Sequence, residues 1–469
     1  MQGRKTFEGK LFYQASLDDL VPDDHVVRRL DDVLDLGYLY EVTKPFYARD
    51  GKPSIDPIVV FKIYLLGYLF GISSERRIMR EITVNLAYRW YLGYDLDEEL
   101  PDHSVLTKAR LRFPERVFED FFKNVVRLCR LGGLISGSRH FVDSSIVRAS
   151  AAKDSYRARL MPLDEYLARI KEVENQDYSF KGEVDPNKMG NRRKRVGSTS
   201  KRVSISDPDA EITVRPGKGT YPAYKAHACV DGKKRVILAI TGSRSSIDDM
   251  HEVHRLLTES IFLAGRKPKY IVADSHYGGI EALKYYQDQG IETCIQPRMS
   301  DSNGGRFKNS QFVQTADGKG LVCPNGQTSF HRIKHRFRYQ YRFDKVQCSG
   351  CSLRPKCTDR SQGRIVSYYS GNHFAAASDL VNSPLGKKLL RQRQTVVEGI
   401  WAEAKGWHCL GRCQRRGLVA FRIQLYLSAA AINLKRLLKA AGSRGGAAAL
   451  RVLLPYFAST PMPSHFTLS

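Results

Sequence analysis

Two aspartates stand where short apolar runs give way to small or polar residues: Asp143 in HFVDSSIVRAS and Asp274 in KYIVADSHYGG. Each run reads as a β-strand ending at its aspartate, and two such strands side by side would put both carboxylates at one edge of a sheet. Hard divalent cations such as Mg²⁺ take oxygen ligands of this kind while keeping several waters. Two bridged ions can activate an attacking oxygen and stabilise a leaving one at a phosphodiester, and that chemistry asks for a third carboxylate. Glu398, in RQRQTVVEGIWAEAKGW, is the candidate. Read as a helix, this segment puts Arg391 seven residues before Glu398 and Lys405 seven after it, all within about 20° of one face. A carboxylate with cations above and below it suits a metal-bound phosphate. Residues 384–451 carry fourteen Lys or Arg and only two acids, Glu398 and Glu403. A lone acid on so basic a stripe differs from an ordinary solvated face, and Glu403, five positions on, turns away from it. An aspartate at a strand end also serves as a turn or helix cap, and that reading stays open for either aspartate taken alone.

A second constellation is Cys323, Cys348, Cys351 and Cys357, spaced C-x24-C-x2-C-x5-C. Four thiolates would make a closed tetrahedral Zn²⁺ site; the competing reading is four reduced, unpaired thiols, because the first cysteine heads C-P-N-G and not C-x2-C. His331 and His335 lie inside the loop and could replace one cysteine. Cys409 and Cys413 read as packing residues. So do Trp401 and Trp407, although they flank Lys405 and base stacking is the alternative. His276, two after Asp274, reads as a loop histidine, and Asp248 and Asp249 as helix caps. Adjacent Asp102, His103 and Ser104 are not a catalytic triad, since triad members are gathered by folding and not by adjacency.

Lys and Arg number 75 against 49 Asp and Glu, a formal charge of +26. Such an excess opposes compaction unless a polyanion neutralises part of it, and nucleic acid is the commonest one. Seven basic residues and no acid fall between Pro186 and Arg202, among them Arg192, Arg193, Lys194 and Arg195. This is a basic arm for DNA or a plain solvated loop. The opening MQGRKTFEGKLF lacks a signal peptide's apolar run, and the run from Pro57 to Ile72 is too short to span a bilayer. A cytoplasmic protein with thiols in place of disulfides is expected. ATP-driven, metalloprotease and serine-hydrolase readings find no GxxxxGK[ST], HExxH or GxSxG to support them.

The elements that must position these residues follow from pattern. Residues 1–135 read as helical: IDPIVVFKIYLLGYLFG, a helix capped by Ser73 or Ser74, and a basic helix after Asp102 or Ser104. From 136 to 297 come a strand to Asp143, a polar basic loop at 151–202, a hairpin turning at Asp231-Gly232, a helix ended by Gly265, the strand to Asp274, and a further helix and strand. This order predicts a mixed α/β architecture. Residues 298–385 form a cysteine-bearing insertion, 386–445 a long helical region, and 446–469 a tail.

Taken together, SIDPIVVFKIYLLGYLFGISSERRI, NLAYRWYLGYDLDEELPDHSVLTK, VDSSIVRA, SDPDA, YKAHACVDGKKRVI, VADSHYGG and VVEGIWAEAKG resemble, in order, bacterial insertion-sequence transposases of the DDE type. The resemblance covers most of the chain. It implies an all-α N-terminal domain, a ribonuclease-H-like core whose mixed sheet is flanked by helices, and a zinc-binding insertion at CPNGQ and CSGCSLRPKC. It further implies that Asp143, Asp274 and Glu398 hold two Mg²⁺ ions, with Mn²⁺ able to substitute. Water would cut the element's end, and the freed 3′-OH would attack target DNA, in at least a homodimer on the DNA. Many relatives show Tyr-x2-Arg-x3-Glu-x6-Lys around the last acid. Here Glu398 and Lys405 fit, but Arg391 stands where Tyr would be and Gln394 where Arg would be, leaving Arg393 to supply the guanidinium for phosphate contacts. The alternatives are a DNA-binding relative without catalysis and a nuclease of the same fold.

Overall fold

The structure, a computed structural model, describes residues 14–48, 50, 54–151, 156–158, 202–215, 219–247, 249–298, 306–334, 338–369 and 373–442. The expected basic run Arg192–Arg195, His335, Asp248 and the tail at 446–469 lie outside the described residues.

The apolar run at 57–69 becomes helix α4 (Pro57–Leu69), started by Asp56, whose Oδ1 accepts from the Ile58 amide at 2.7 Å with Pro57 in the first turn. This is the position where proline's missing N–H costs nothing. Around α4 stand α1 (Leu17–Leu20), α2 (Val26–Val33), α3 (Tyr38–Thr43), α5 (Glu75–Val84), α6 (Leu86–Leu92), α7 (Ser104–Arg112) and α8 (Glu115–Leu131). Ser74 caps α5 through the Arg77 amide, and Asp102 accepts from the Ser104 amide at the head of α7.

The main sheet is built from β1 (Arg139–Arg148), β4 (Glu211–Arg215), β5 (Gly219–Asp231), β6 (Ile237–Arg244), β7 (Tyr270–Ala273) and β8 (Glu292–Ile295); β2 (Tyr156–Ala158) and β3 (Arg202–Ser204) pair separately. β5 is antiparallel to β1 on one side and to β4 and β6 on the other, while β7 runs parallel to β1 and β8 parallel to β7. Asp231 closes the β5–β6 turn and is wholly buried. It accepts from the amides of Ser136, Gly137 and Lys233, so the predicted turn residue also anchors the entry to β1.

Alternation along the strands sends neighbouring residues to opposite faces. Phe141, Ala228, Val230 and Ile240 pack with α4, α8 and the last helix. Val142, Cys229, Ala239 and Ile271 pack with α9 (Met250–Ala264) and α10 (Ile280–Asp288). The first of these cores is continuous with that of the N-terminal helices, so apolar packing runs unbroken across residue 135. Gly265 ends α9 in the left-handed conformation (φ 72°), as its place in the sequence suggested.

Between β8 and α12 (His373–Asn382) lies a segment with its own small core of Phe312, Leu321, Tyr341, Phe343 and Val366. It holds two three-stranded sheets, β9 (Val313–Gln314), β10 (Leu321–Val322) and β11 (Thr328–Ser329), then β12 (Arg332–Lys334), β13 (Arg338–Arg342) and β14 (Ile365–Tyr369), with α11 (Lys345–Ser349) between the last two strands. The long helical region that follows is not continuous. It divides into α13 (Pro384–Arg393), a π-turn (Gln394–Glu398), α14 (Gly399–Trp407) and α15 (Leu418–Ala441).

α15 is buried nearly all round, against α8, α4 and β6. Its Asn433 side chain accepts from the Ile237 amide and donates to the Ile237 carbonyl, each at 2.9 Å. Asn433→Ala would leave both backbone groups of β6 buried without partners, at about 1–3 kcal/mol each. We expect a fall in unfolding free energy of roughly 2–4 kcal/mol, read by urea titration; a loss under ~0.5 kcal/mol would show that the clamp carries no stability.

Candidate active site

Asp143 stands mid-strand and not at a strand end: β1 continues through Arg148 because β5 pairs with it along that whole length. Asp274 does follow the last residue of its strand, β7, and caps the short turn at Ser275–Tyr277, its Oδ1 accepting from the His276 amide at 3.0 Å. β1 and β7 are parallel with Phe141 opposite Val272, and the same register carried two residues on sets Asp143 beside Asp274. Both then share a face.

Helices α13 and α14 cross β1 on that face. Arg393 Nη1 donates to Asp143 Oδ1 at 3.3 Å, and Trp401 Nε1 donates to Asp143 Oδ2 at 3.2 Å. Lys405 Nζ reaches Ser145 Oγ at 2.6 Å and the Ile146 carbonyl at 3.0 Å, so it grips the strand two residues beyond the carboxylate. Arg393 and Trp401 are eight residues apart, which in an uninterrupted α-helix turns them about 80° from each other. The π-turn between them absorbs one residue and brings both to one carboxylate, and such turns often sit at functional positions. The same interruption undoes the seven-residue arithmetic that put Arg391 on the face of Glu398. Arg391 is exposed, and its side chain has no hydrogen bond or ion pair among the described residues, whereas Arg393 takes the place by the carboxylate.

The Asp143 side chain is 17% exposed. Burial pushes its carboxyl up to about 6, with Arg393 opposing the rise, Asp274 adding to it, and Trp401 holding it down. Two neighbouring carboxylates that repel each other in a partly dry site are the setting in which a divalent cation is favoured. Glu398 sits at the end of the π-turn, exposed and without a partner among the described residues. Among the described residues no three Asp, Glu, His or Cys side chains are gathered closely enough to hold a metal ion. The two aspartates are brought together, and Glu398 stands on the facing helical segment outside their contact.

Residues 322–438 match the family model described as a transposase DDE domain, and residues 15–112 match a transposase domain of the DUF772 type. Both matches point to an insertion-sequence transposase of the DDE type. The first match runs from β10 to α15 and takes in the cysteines, Glu398 and Lys405; the second takes in α1 to α7. No curated protein matches the transposase. Among solved structures, one titled "Cryo-EM structure of piggyBac transposase synaptic complex with hairpin DNA" is 10% identical, with a TM-score of 0.34 over 91% of this chain and 76% of that one.

In the transposase the four cysteines line one cavity, beside Phe312 and Phe343. The Cys357 thiol is pushed up by burial and by the other three cysteines, with Arg364 opposing. Among the described residues no histidine lines this cavity: His331 is exposed just before β12, its carbonyl accepting from the Arg342 amide. Cys409 and Cys413 pack, the latter buried. His276 is exposed and touches Asp274 through its backbone. His103 bonds Asp102 at 2.8 Å and Arg76 at 3.1 Å, an exposed pair at the head of α7, and Ser104 joins Asp102 through its amide and its side chain. Among the described residues no helix is long and apolar enough to cross a membrane.

Sequence reasoning missed two features. Trp401 was assigned to packing and, at 7% exposure, it does pack, yet its indole N–H also holds a carboxylate; its spacing of four from Lys405 was the available signal. Asp249 was assigned to capping, but its side chain caps nothing. It is buried on the sheet's other face, 3.2 Å from Lys225 Nζ and 3.4 Å from His227 Nδ1. A cap would need it exposed at the helix end, and here the cation of β5 draws it inward.

His227 and His140 are wholly buried, and burial pushes each down to about 4. A histidine kept neutral in the fold binds its proton more readily when unfolded, so stability drops as pH falls from about 6.5 through 4. Each contributes up to ~3 kcal/mol across that window. Unfolding free energies measured at pH 7 and 4.5 should therefore differ by less in His140→Asn than in the wild type; equal differences would refute the neutral buried imidazole.

Proposed function

We propose that this transposase cuts DNA at its element's ends and joins the freed 3′-OH to target DNA, with Asp143, Asp274 and Glu398 as the carboxylates that hold Mg²⁺, or Mn²⁺ in its place. The observation that carries this reading is the parallel pairing that sets Asp143 beside Asp274 under the helical segment bearing Glu398. The donor set is all oxygen, as Mg²⁺ requires. Bound there, the ions supply a polarised attacking oxygen and a stabilised leaving oxygen. The residues of the chain do the positioning. Trp401 fixes the Asp143 carboxylate, Lys405 ties α14 to β1, and Arg393 offers a guanidinium at the site for a phosphate to engage.

The strand order β6-β5-β1-β7-β8, three antiparallel strands continued by two parallel ones with helices on both faces, supports a ribonuclease-H-like core. The charge of +26 supports DNA as the partner. Joining two ends calls for at least a homodimer on DNA.

Asp143→Ala, Asp274→Ala and Glu398→Ala are each expected to abolish Mg²⁺-dependent cleavage of a labelled duplex carrying the element's ends, while duplex binding persists. Cleavage retained by any one of them removes that residue from the set. A pre-cut end tests the second step: release of product with no joining to target would reduce the activity to hydrolysis.

The segment at 306–369 is proposed to hold one structural Zn²⁺ through Cys323, Cys348, Cys351 and Cys357, four sulfur donors that line one cavity and would have to draw closer together to ligate one ion. Its core is small, and metal binding would supply folding free energy there. Metal analysis of the purified protein should find one zinc per chain, lost in Cys357→Ser; a metal-free wild type of unchanged melting temperature would overturn the assignment.

A further inference from the structure

Six cations converge on an open groove of about 1510 Å³ that the catalytic reading leaves unused. Lys233, Lys234 and Arg235 come from the β5–β6 turn, and Lys435, Arg436 and Lys439 from the last two turns of α15. One acid lines it, Glu403, which pairs with Lys435 at 3.4 Å and Arg436 at 2.7 Å. Lys233, Lys234, Arg235 and Lys439 have no ion pair among the described residues, so most of the groove's charge is left without a counter-charge within the chain.

Arg235 is the strained member. Its backbone is left-handed (φ 58°), a conformation L-residues adopt at a cost, and its Nε is buried without a hydrogen-bond partner. Its guanidinium lies against Gly399, where any side chain would collide with it, and Gly399 follows Glu398 directly. Arg436 crowds the same guanidinium with like charge, offset in part by Glu403. A fold that stores this much repulsion and an unmet donor beside Glu398 is arranged for an anion, and a row of cations along two elements suits a polyanion better than a single ion.

We propose that this groove, between the β5–β6 turn and the end of α15, binds the phosphate backbone of duplex DNA flanking the bond to be cut. The inference rests on the DNA-cutting reading and gives it a surface. Contacts of this kind are to phosphate, so they position the duplex without reading its sequence, and each releases counterions.

The test is fluorescence anisotropy of a labelled duplex with the full chain, in EDTA so that no cleavage intervenes, across about 50–200 mM salt. Lys234→Gln/Lys439→Gln alters two exposed side chains with no partner to lose. Each phosphate contact removed lessens the log–log salt slope by about 0.9, so the pair should lower it by up to ~1.8 and weaken all duplex sequences alike. Lys267→Gln/Lys284→Gln, which removes equal charge near the opposite face of the sheet, should leave the slope in place. An unchanged slope in the groove variant, equal losses in both variants, or a loss confined to single-stranded RNA would each overturn the proposal while the cutting reading stands. A wild type that binds no duplex at all would overturn both.

Discussion

The molecule turns on holding a carboxylate in the middle of its central strand. Asp143 cannot be solvated as an aspartate at a strand end would be, because β5 pairs with β1 on one side, β7 ends on the other, and a helical segment lies over it. Burial drives its carboxyl up to about 6. Partners that favour the charged form keep that strand from becoming a liability: the Arg393 guanidinium, the Ser144 backbone and the Trp401 indole N–H. The first and last come from the segment 393–401, so the same contacts that make the aspartate tolerable dock the helix that carries Glu398.

That dependence explains the π-turn. α13 must present Arg393 and α14 must present Trp401 to one carboxylate, while Lys405 grips β1 one turn further along. An unbroken helix would splay the first two, and the wider turn corrects the phase at the cost of looser backbone bonding. α15 then fixes the depth of the arrangement. Its Asn433 clamps the start of β6, and its apolar flanks pack against α8 and α4, so N-terminal helices and sheet share one core. A displacement in the helical layer would thus reach the site through packing and not through a hinge.

Much of this was legible in the sequence because it depended on local pattern. The hairpin at Asp231-Gly232, the stop at Gly265, the caps at Ser74 and Asp102 and the strand leading into Asp274 are short-range signals, each with a physical cause within a few residues. The end of β1 was misread at Asp143 because a polar residue in mid-strand looks like a terminus until the pairing strand is known. The phase of the helix at Glu398 was misread for a related reason: seven-residue arithmetic assumes continuous α-geometry, and nothing in QTVVE announces a π-turn. Asp249 needed the position of Lys225, 24 residues earlier on β5, before its burial made sense.

The basic groove was beyond pattern reading altogether. Lys233–Arg235 is an ordinary charged turn in one dimension, and Lys435, Arg436 and Lys439 are an ordinary helix end. Only the packing of α15 under the β5–β6 turn makes them one surface. A single acid there, Glu403, is drawn to about 2 against its own burial by His408, Arg436 and Lys435, so it stays ionised and holds two of the cations in place. The remaining positive charge faces outward beside Gly399. Charge that a protein does not neutralise internally costs it stability; a polyanion seated in the proposed groove would relieve that repulsion and lie beside the helical segment that bears Glu398.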